Sequence, residues 1–154
     1  MDIYHETVTL EKSLPASPED VFRAYTDPKA REMWSAPDDT TEIRILESNV
    51  RTGGSETGIC GTRGEELNWR MDVAYHLVEE GKLITFTEEL WDGDNMLTIA
   101  LITFDLNKAP DGTTILHLTD QVTSFVGKGG VQGHRDGYTK ALDNLASMLT
   151  EKVA

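Results

Sequence analysis

The sequence predicts a single α+β domain in which a curved antiparallel sheet of about seven strands wraps around a long C-terminal helix, with two short helices after the first strand. Apolar and polar side chains alternate over 4–14 and through most of 41–121, which is the period-two pattern of strands. Over 134–149 the apolar spacing changes to three and four residues, as in an amphipathic helix. Separate helical and antiparallel blocks of this kind are typical of an α+β fold.

Two short helices are predicted between the first strand and the remaining ones. Ser17 stands where a helix N-cap is expected, and Pro18 follows at the position where a missing N–H costs nothing. Asp27 and Pro28 repeat this combination, so a second short helix begins there. The two proline-led segments predict a V-shaped pair of helices.

The clearest alternation in the chain runs over 67–77. Its apolar members, with Leu77 as the last, are predicted on one face, while Arg70, Asp72 and His76 lie on the other. Glycine-bearing turns at 80–82, 92–95 and 111–112 separate the later strands, which predicts an antiparallel meander.

The last helix carries glycines near its start. Gly133 and Gly137 each cost about 1 kcal/mol relative to alanine, which is tolerable if this end of the helix passes close to the sheet. The preceding segment 127–130 lacks the Lys-Ser/Thr ending of a phosphate loop and is predicted as a flexible connection. An ordinary loop is preferred there over a gate for a cavity, because loops are rich in glycine for backbone reasons alone.

The formal net charge of −13 comes from 27 acidic and 14 basic side chains. Such a surface repels phosphate backbones and anionic lipids, so neither nucleic acid nor a membrane is expected as a partner. The acidity is expected to keep the protein soluble, and no concentrated acidic run supports the alternative of docking onto a basic partner. A homodimer stays open.

Metal and nucleophile motifs are missing from the sequence. The four histidines, His5, His76, His117 and His134, lie far apart, and no HxxxH, HExxH, CxxC or Gly-x-Ser-x-Gly pattern occurs. No metal and no cofactor are therefore predicted. Cys60 is the single cysteine and is expected to be a buried, inert thiol. With no intrachain disulfide, signal pattern or membrane-length apolar run, the protein is expected to be cytoplasmic.

Several segments together resemble one known family. They are Val21 to Pro28 with Trp34, Arg51 to Gly54, 97–104, Gly112-Thr113, Thr119 to Gln121 with Phe125, Gly137-Tyr138 and Leu142 to Ala146. In this order they resemble the START-like helix-grip superfamily (SRPBCC), which includes the birch-allergen domain. Within it, they resemble the branch named after the activator of heat shock protein 90 ATPase. The resemblance implies a helix-grip fold with a cavity between helix and sheet.

Inward-facing side chains from several elements are the candidate lining of that cavity. They are Trp34, Trp69, Met71, Phe86, Glu88, Phe104, Leu118, Asp120 and Tyr138. Aromatic members could simply fill the core, but small-molecule pockets are also mainly apolar with a few placed polar groups. Glu88 and Asp120 could orient a ligand or act as general acid or base. The alternative, which the sequence favours, places both near strand ends, in water or paired with Arg70 or Arg135.

Three functions follow from these observations. The preferred one is binding of a small hydrophobic or aromatic molecule. The second is an enzyme of the cyclase or hydratase type that uses Glu88 or Asp120, since a few relatives in the superfamily are such enzymes. The third is a chaperone ATPase cofactor, implied by the family name alone, because the eukaryotic co-chaperone also depends on a separate N-terminal domain for which this chain has no room.

Overall fold

The computed structural model describes residues 1–153, and side chains up to Glu151. Ten elements follow one another along the chain. They are β1 (Tyr4–Leu14), α1 (Pro18–Thr26), α2 (Pro28–Trp34), β2 (Thr41–Ser48), β3 (Ser55–Thr62), β4 (Trp69–Glu79), β5 (Leu83–Asp92), β6 (Asn95–Lys108), β7 (Thr114–Ser124) and α3 (Lys128–Val153). This order confirms the predicted α+β fold.

All seven strands belong to one open, curved sheet. Its order is β1-β7-β6-β5-β4-β3-β2, and every neighbouring pair is antiparallel. The six strands from β2 to β7 therefore form the predicted meander, and β1 pairs with β7 to place the first and last strands side by side. Helix α3 packs mainly against β1 and β7, and also against α2.

The two short helices begin where the sequence predicts. Ser17 Oγ accepts a hydrogen bond from the Asp20 backbone N–H at 3.2 Å, and Pro18 is the first residue of α1. Asp27 ends α1 by donating its backbone N–H to the Arg23 carbonyl at 3.0 Å. Its side chain then accepts from the Lys29 N–H at 3.1 Å and so caps α2. One residue thus serves both helices and holds them at an angle.

A register shift in β4 corrects one sequence prediction. The pairing of β4 with β5 shifts between Tyr75 and Leu77, so one extra residue reverses the faces beyond it. Leu77, predicted to point inward, is 45% exposed, while Val78 packs against the core. His76 is exposed, as predicted.

The start of α3 differs from the sequence prediction. The helix begins at Lys128, so most of the segment predicted as a flexible connection is helical. Gly127 supplies the turn with a φ of 83°. The close approach to the sheet occurs at Gly130, where an added Cβ would clash with Ser124 Oγ. At Gly133 an added Cβ would meet nothing within 4 Å, so that glycine is not required by packing.

No helix among the described residues is both long and apolar enough to span a membrane. The core lies instead between the concave face of the sheet and the three helices.

Candidate functional site

The concave face is densely packed near α1 and α2. Tyr25 lies with its ring centroid 5.3 Å from that of Phe104 and 6.0 Å from that of Phe86. Tyr75 follows at 5.6 Å from Phe86. Trp34 is 2% exposed and donates its indole N–H to the Ala24 carbonyl at 3.0 Å. Aromatic side chains therefore fill this end of the interior.

Further along the same face, and on the side of α3 next to it, several side chains are only partly buried. We call this region the inner cleft and define it by five partly exposed side chains: Met71, Glu88, Leu90, His134 and Tyr138. Met71 is paired with Leu90, and Val73 with Glu88, so these strand residues lie side by side on β4 and β5. Because α3 packs mainly over β1 and β7, it leaves this part of the sheet less covered.

Thr98, His134 and Asp120 are linked by hydrogen bonds on one side of the inner cleft. His134 Nδ1 donates to Asp120 Oδ2 at 2.7 Å, and His134 Nε2 lies 3.1 Å from Thr98 Oγ1. Burial lowers the pKa of His134, but the hydrogen bond and the negative charge of Asp120, together with that of Glu88, outweigh it and raise the pKa above its ordinary value. The two hydrogen bonds hold the histidine in one orientation, and the raised pKa widens the pH range over which it keeps its second proton.

Glu88 lies at the centre of the concave face. Burial raises its pKa, the positive charge of His134 opposes that shift, and the negative charge of Asp120 adds to it. Burial raises the pKa of the Tyr138 phenol on α3, and the negative charges of Glu88 and Asp120 raise it further. The inner cleft thus combines apolar walls with a carboxyl group, an imidazole and a phenol.

A second buried polar network lies between α2 and β3. Arg31 forms an ion pair with Glu56, and both side chains are less than a tenth exposed. Tyr75 donates its hydroxyl to Glu56 at 3.1 Å, and the Arg31 guanidinium stacks 4.5 Å from the centre of the Tyr25 ring. Burial lowers the pKa of Arg31, but Tyr25, Tyr75 and Glu56 together raise it above its usual value. This network fixes α2 onto the sheet.

The predicted lining residues divide into three groups. Trp34, Phe86, Phe104, Leu118 and Asp120 are at most 2% exposed and belong to the packed interior. Met71, Glu88 and Tyr138 border the inner cleft. Trp69 is 45% exposed at the start of β4, where it pairs with Cys60 and Asp92. Their role as a ligand-binding set stays a prediction.

The two carboxylates are not solvated at strand ends, contrary to the alternative that the sequence favoured. Asp120 has no exposed surface and lies in the middle of β7, and Glu88 is partly buried in the middle of β5. Arg70 pairs with Asp72, and Arg135 pairs with Glu6. The sequence missed His134 as the partner of Asp120, because its position in the helical apolar stripe does not show what it faces.

Two depressions of about 500 Å³ each lie outside the inner cleft. One lies between α2 and the C-terminal part of α3 and is bordered by Trp34, Arg63 and Asn144. The other lies along α1, next to Leu149. Among the candidate lining residues, only Trp34 borders either one.

Within the described residues, no group of three or more His, Cys, Asp and Glu side chains could hold a metal ion. Cys60 is 8% exposed, and burial, with a smaller contribution from Glu88, raises the pKa of its thiol to about 11. A thiol with so high a pKa is a poor nucleophile at neutral pH.

Comparison with known proteins identifies the family. The family model of the "Activator of Hsp90 ATPase homolog 1-like protein" matches residues 15–150. The chain belongs to this family. The match spans both the short helices and the Asp120–His134 pair.

Solved structures share the fold of this chain over nearly its full length. Protein Mll3558 from Rhizobium loti is 26% identical, with a TM-score of 0.80, covering 96% of this chain and 99% of the other. A putative uncharacterized protein from Rhizobium leguminosarum is 24% identical, with a TM-score of 0.79 and 97% of each chain covered. Protein CV1439 from Chromobacterium violaceum is 22% identical, with a TM-score of 0.78, covering 93% and 96%. No curated protein matches the sequence significantly.

The buried ion pair of this family member leads to a stability prediction. Glu56→Gln and Arg31→Met are each expected to lower the free energy of unfolding by about 3–5 kcal/mol, because each leaves one buried charge without its partner. Arg44→Met, which breaks the exposed pair with Glu42, is expected to cost less than about 1 kcal/mol. Urea unfolding of the three variants measures this, and equal losses would contradict it.

The His134 environment leads to a pH prediction. Its folded-state pKa is raised, so its contribution to stability is fully present below the unfolded pKa of about 6.5 and is lost as pH rises through the folded value. The raised pKa of Glu88 likewise makes the unfolding free energy fall as pH rises. His134→Gln is therefore expected to flatten the fall in unfolding free energy with rising pH.

Urea unfolding at several pH values tests this expectation. His76→Gln is the matched control, because His76 is an exposed histidine on the outer face, 3.0 Å from Thr87 Oγ1. A His134→Gln profile as steep as that of the unaltered protein would show that His134 does not contribute.

Proposed function

We propose that this protein binds a small hydrophobic or aromatic molecule in the inner cleft. The observation that carries the proposal is the partial exposure of Met71 and Leu90 on the concave face and of Tyr138 on α3, next to a buried core. Small-molecule sites are typically concave, mostly apolar and equipped with a few convergent polar groups. The cleft has this composition, with Glu88 and His134 as its polar groups.

The packed aromatic end of the interior would act as the floor of the site. Phe104 lies 6.2 Å from Tyr138, measured between ring centroids, so the floor continues directly into the cleft. A rigid floor favours binding, because little side-chain entropy remains to be lost when a ligand settles on it. The cytoplasm is the compartment we propose for this binding, since Cys60 is a lone, unpaired thiol.

A thermal-shift screen with flavonoids, fatty acids and polyketide-like aromatics tests the proposal. A ligand present at a hundred times its dissociation constant is expected to stabilise the fold by about 2.7 kcal/mol. Met71→Trp is expected to abolish this stabilisation, because the larger side chain occupies the cleft. Leu77→Trp places the same side chain at an exposed position of the same strand and is expected to keep it.

Two results would contradict the proposal. One is a lack of stabilisation by every apolar compound. The other is stabilisation that survives Met71→Trp unchanged, because the ligand would then lie elsewhere, such as in the depression beside Asn144.

An enzyme of the cyclase or hydratase type is the second candidate function. It is favoured by one observation: the Glu88 carboxyl lies in the same cleft as the hydrogen-bonded His134, and burial raises its pKa above the ordinary value. Asp120 has no exposed surface and would act only through His134. Any turnover found with a bound ligand is expected to fall by at least about 100-fold in Glu88→Gln. Activity that persists in this variant excludes the role.

A further inference from the structure

Glu88 is the carboxyl group of the inner cleft that has no hydrogen-bonded or ion-paired partner among the described residues. It lies between Val73 and Ala100 on the neighbouring strands, both of which are buried. A buried carboxylate is costly unless it is paired. The cleft therefore contains an acceptor that is free to pair with solvent or with a bound molecule.

The titratable groups that interact electrostatically with Glu88 come from α2, β3, β7 and α3. They are Arg31 on α2, Glu56 and Cys60 on β3, Asp120 on β7, and His134 and Tyr138 on α3. Both positive groups are already matched, because Arg31 pairs with Glu56 and His134 pairs with Asp120. Ionised Glu88 is thus an excess negative charge even when His134 is protonated.

A second unpartnered atom lies in the same cluster. Asp120 is completely buried, and its Oδ1 makes no hydrogen bond in the described structure, while Oδ2 is used by His134. Buried polar atoms are nearly always hydrogen-bonded in folded proteins. Two carboxylates therefore retain acceptor capacity, Glu88 in the inner cleft and Asp120 in the packed interior beside His134.

We propose that the ligand of the inner cleft is a small apolar amine, whose ammonium group pairs with Glu88 while its hydrocarbon part lies against Met71 and Leu90. This inference rests on the proposed binding function and specifies its ligand class. A carboxylate or phosphate ligand would be repelled by the excess negative charge. A neutral alcohol would leave that charge unmatched.

Two further features suit an ammonium group. The Tyr138 ring lies beside the cleft, and aromatic faces attract cations. The net charge of −13 also raises the concentration of cations near the surface and speeds their encounter.

Three matched probes test the inference: phenethylamine, phenethyl alcohol and hydrocinnamate. Titration calorimetry near neutral pH is expected to show the amine binding at least about tenfold more tightly than the alcohol, because charged hydrogen bonds exceed neutral ones in strength. The carboxylate is expected to bind most weakly. In Glu88→Gln the amine and the alcohol are expected to bind with similar affinity.

Glu89→Gln is the matched control. Glu89 is the next residue of β5, on the opposite face, where it accepts a hydrogen bond from Trp91 Nε1 at 3.0 Å. This variant removes the same charge from the same strand and is expected to keep the preference for the amine. Circular dichroism and thermal unfolding confirm that each variant is folded.

The pH dependence tests the inference without any variant at Glu88. Burial raises the pKa of Glu88, so the affinity for phenethylamine is expected to increase as pH rises and the carboxyl ionises. Loss of the His134 proton is also expected to increase the affinity for phenethylamine as pH rises. The His134→Gln variant separates the two contributions, because only the dependence on Glu88 remains in that variant.

The outcomes separate this inference from the function on which it rests. Equal binding of amine and alcohol overturns the amine class but leaves an apolar binding site. A preference that survives Glu88→Gln also overturns it. If neither the three probes nor the wider apolar screen stabilises the protein, both the ligand class and the binding function are wrong.

Discussion

Helix α3 packs mainly over β1 and β7, at one side of the sheet, because Gly130 lets its first turn come close to Ser124. A side chain at this glycine would push the helix away from β7. Because α3 lies over β1 and β7, it covers less of the middle of the concave face. The inner cleft, the placement of Glu88 and the contact between His134 and Asp120 all depend on this position.

The two buried polar networks have different consequences. Arg31 and Glu56 satisfy each other with the help of Tyr75, so their network is closed and serves to hold α2 against β3. The network around His134 is open, because Asp120 Oδ1 and Glu88 retain acceptor capacity. Burying polar groups is costly unless they are paired, and this cost is fully offset within the chain only in the first network.

Membership of the Hsp90-activator-homologue family and the similarity to solved structures agree on the fold. The function has to be argued from the site, since one fold supports many activities. The partly exposed apolar side chains of the cleft support the proposal of binding, and the acid–base groups beside them keep catalysis as the second candidate. The chaperone role rests on the family name alone, because no surface of the described chain has been tied to it.

The sequence by itself determined the order of the elements, the capping of α1 and α2 by Ser17 and Asp27, and the burial of most aromatic residues, because periodicity and capping are local properties. Only the tertiary structure showed which side chains of β4 point inward after the bulge at Tyr75, and that Trp69 is exposed. It also decided the pairing of His134 with Asp120, which joins a helix to a strand. Such contacts depend on where α3 lies on the sheet, and no local pattern encodes that position.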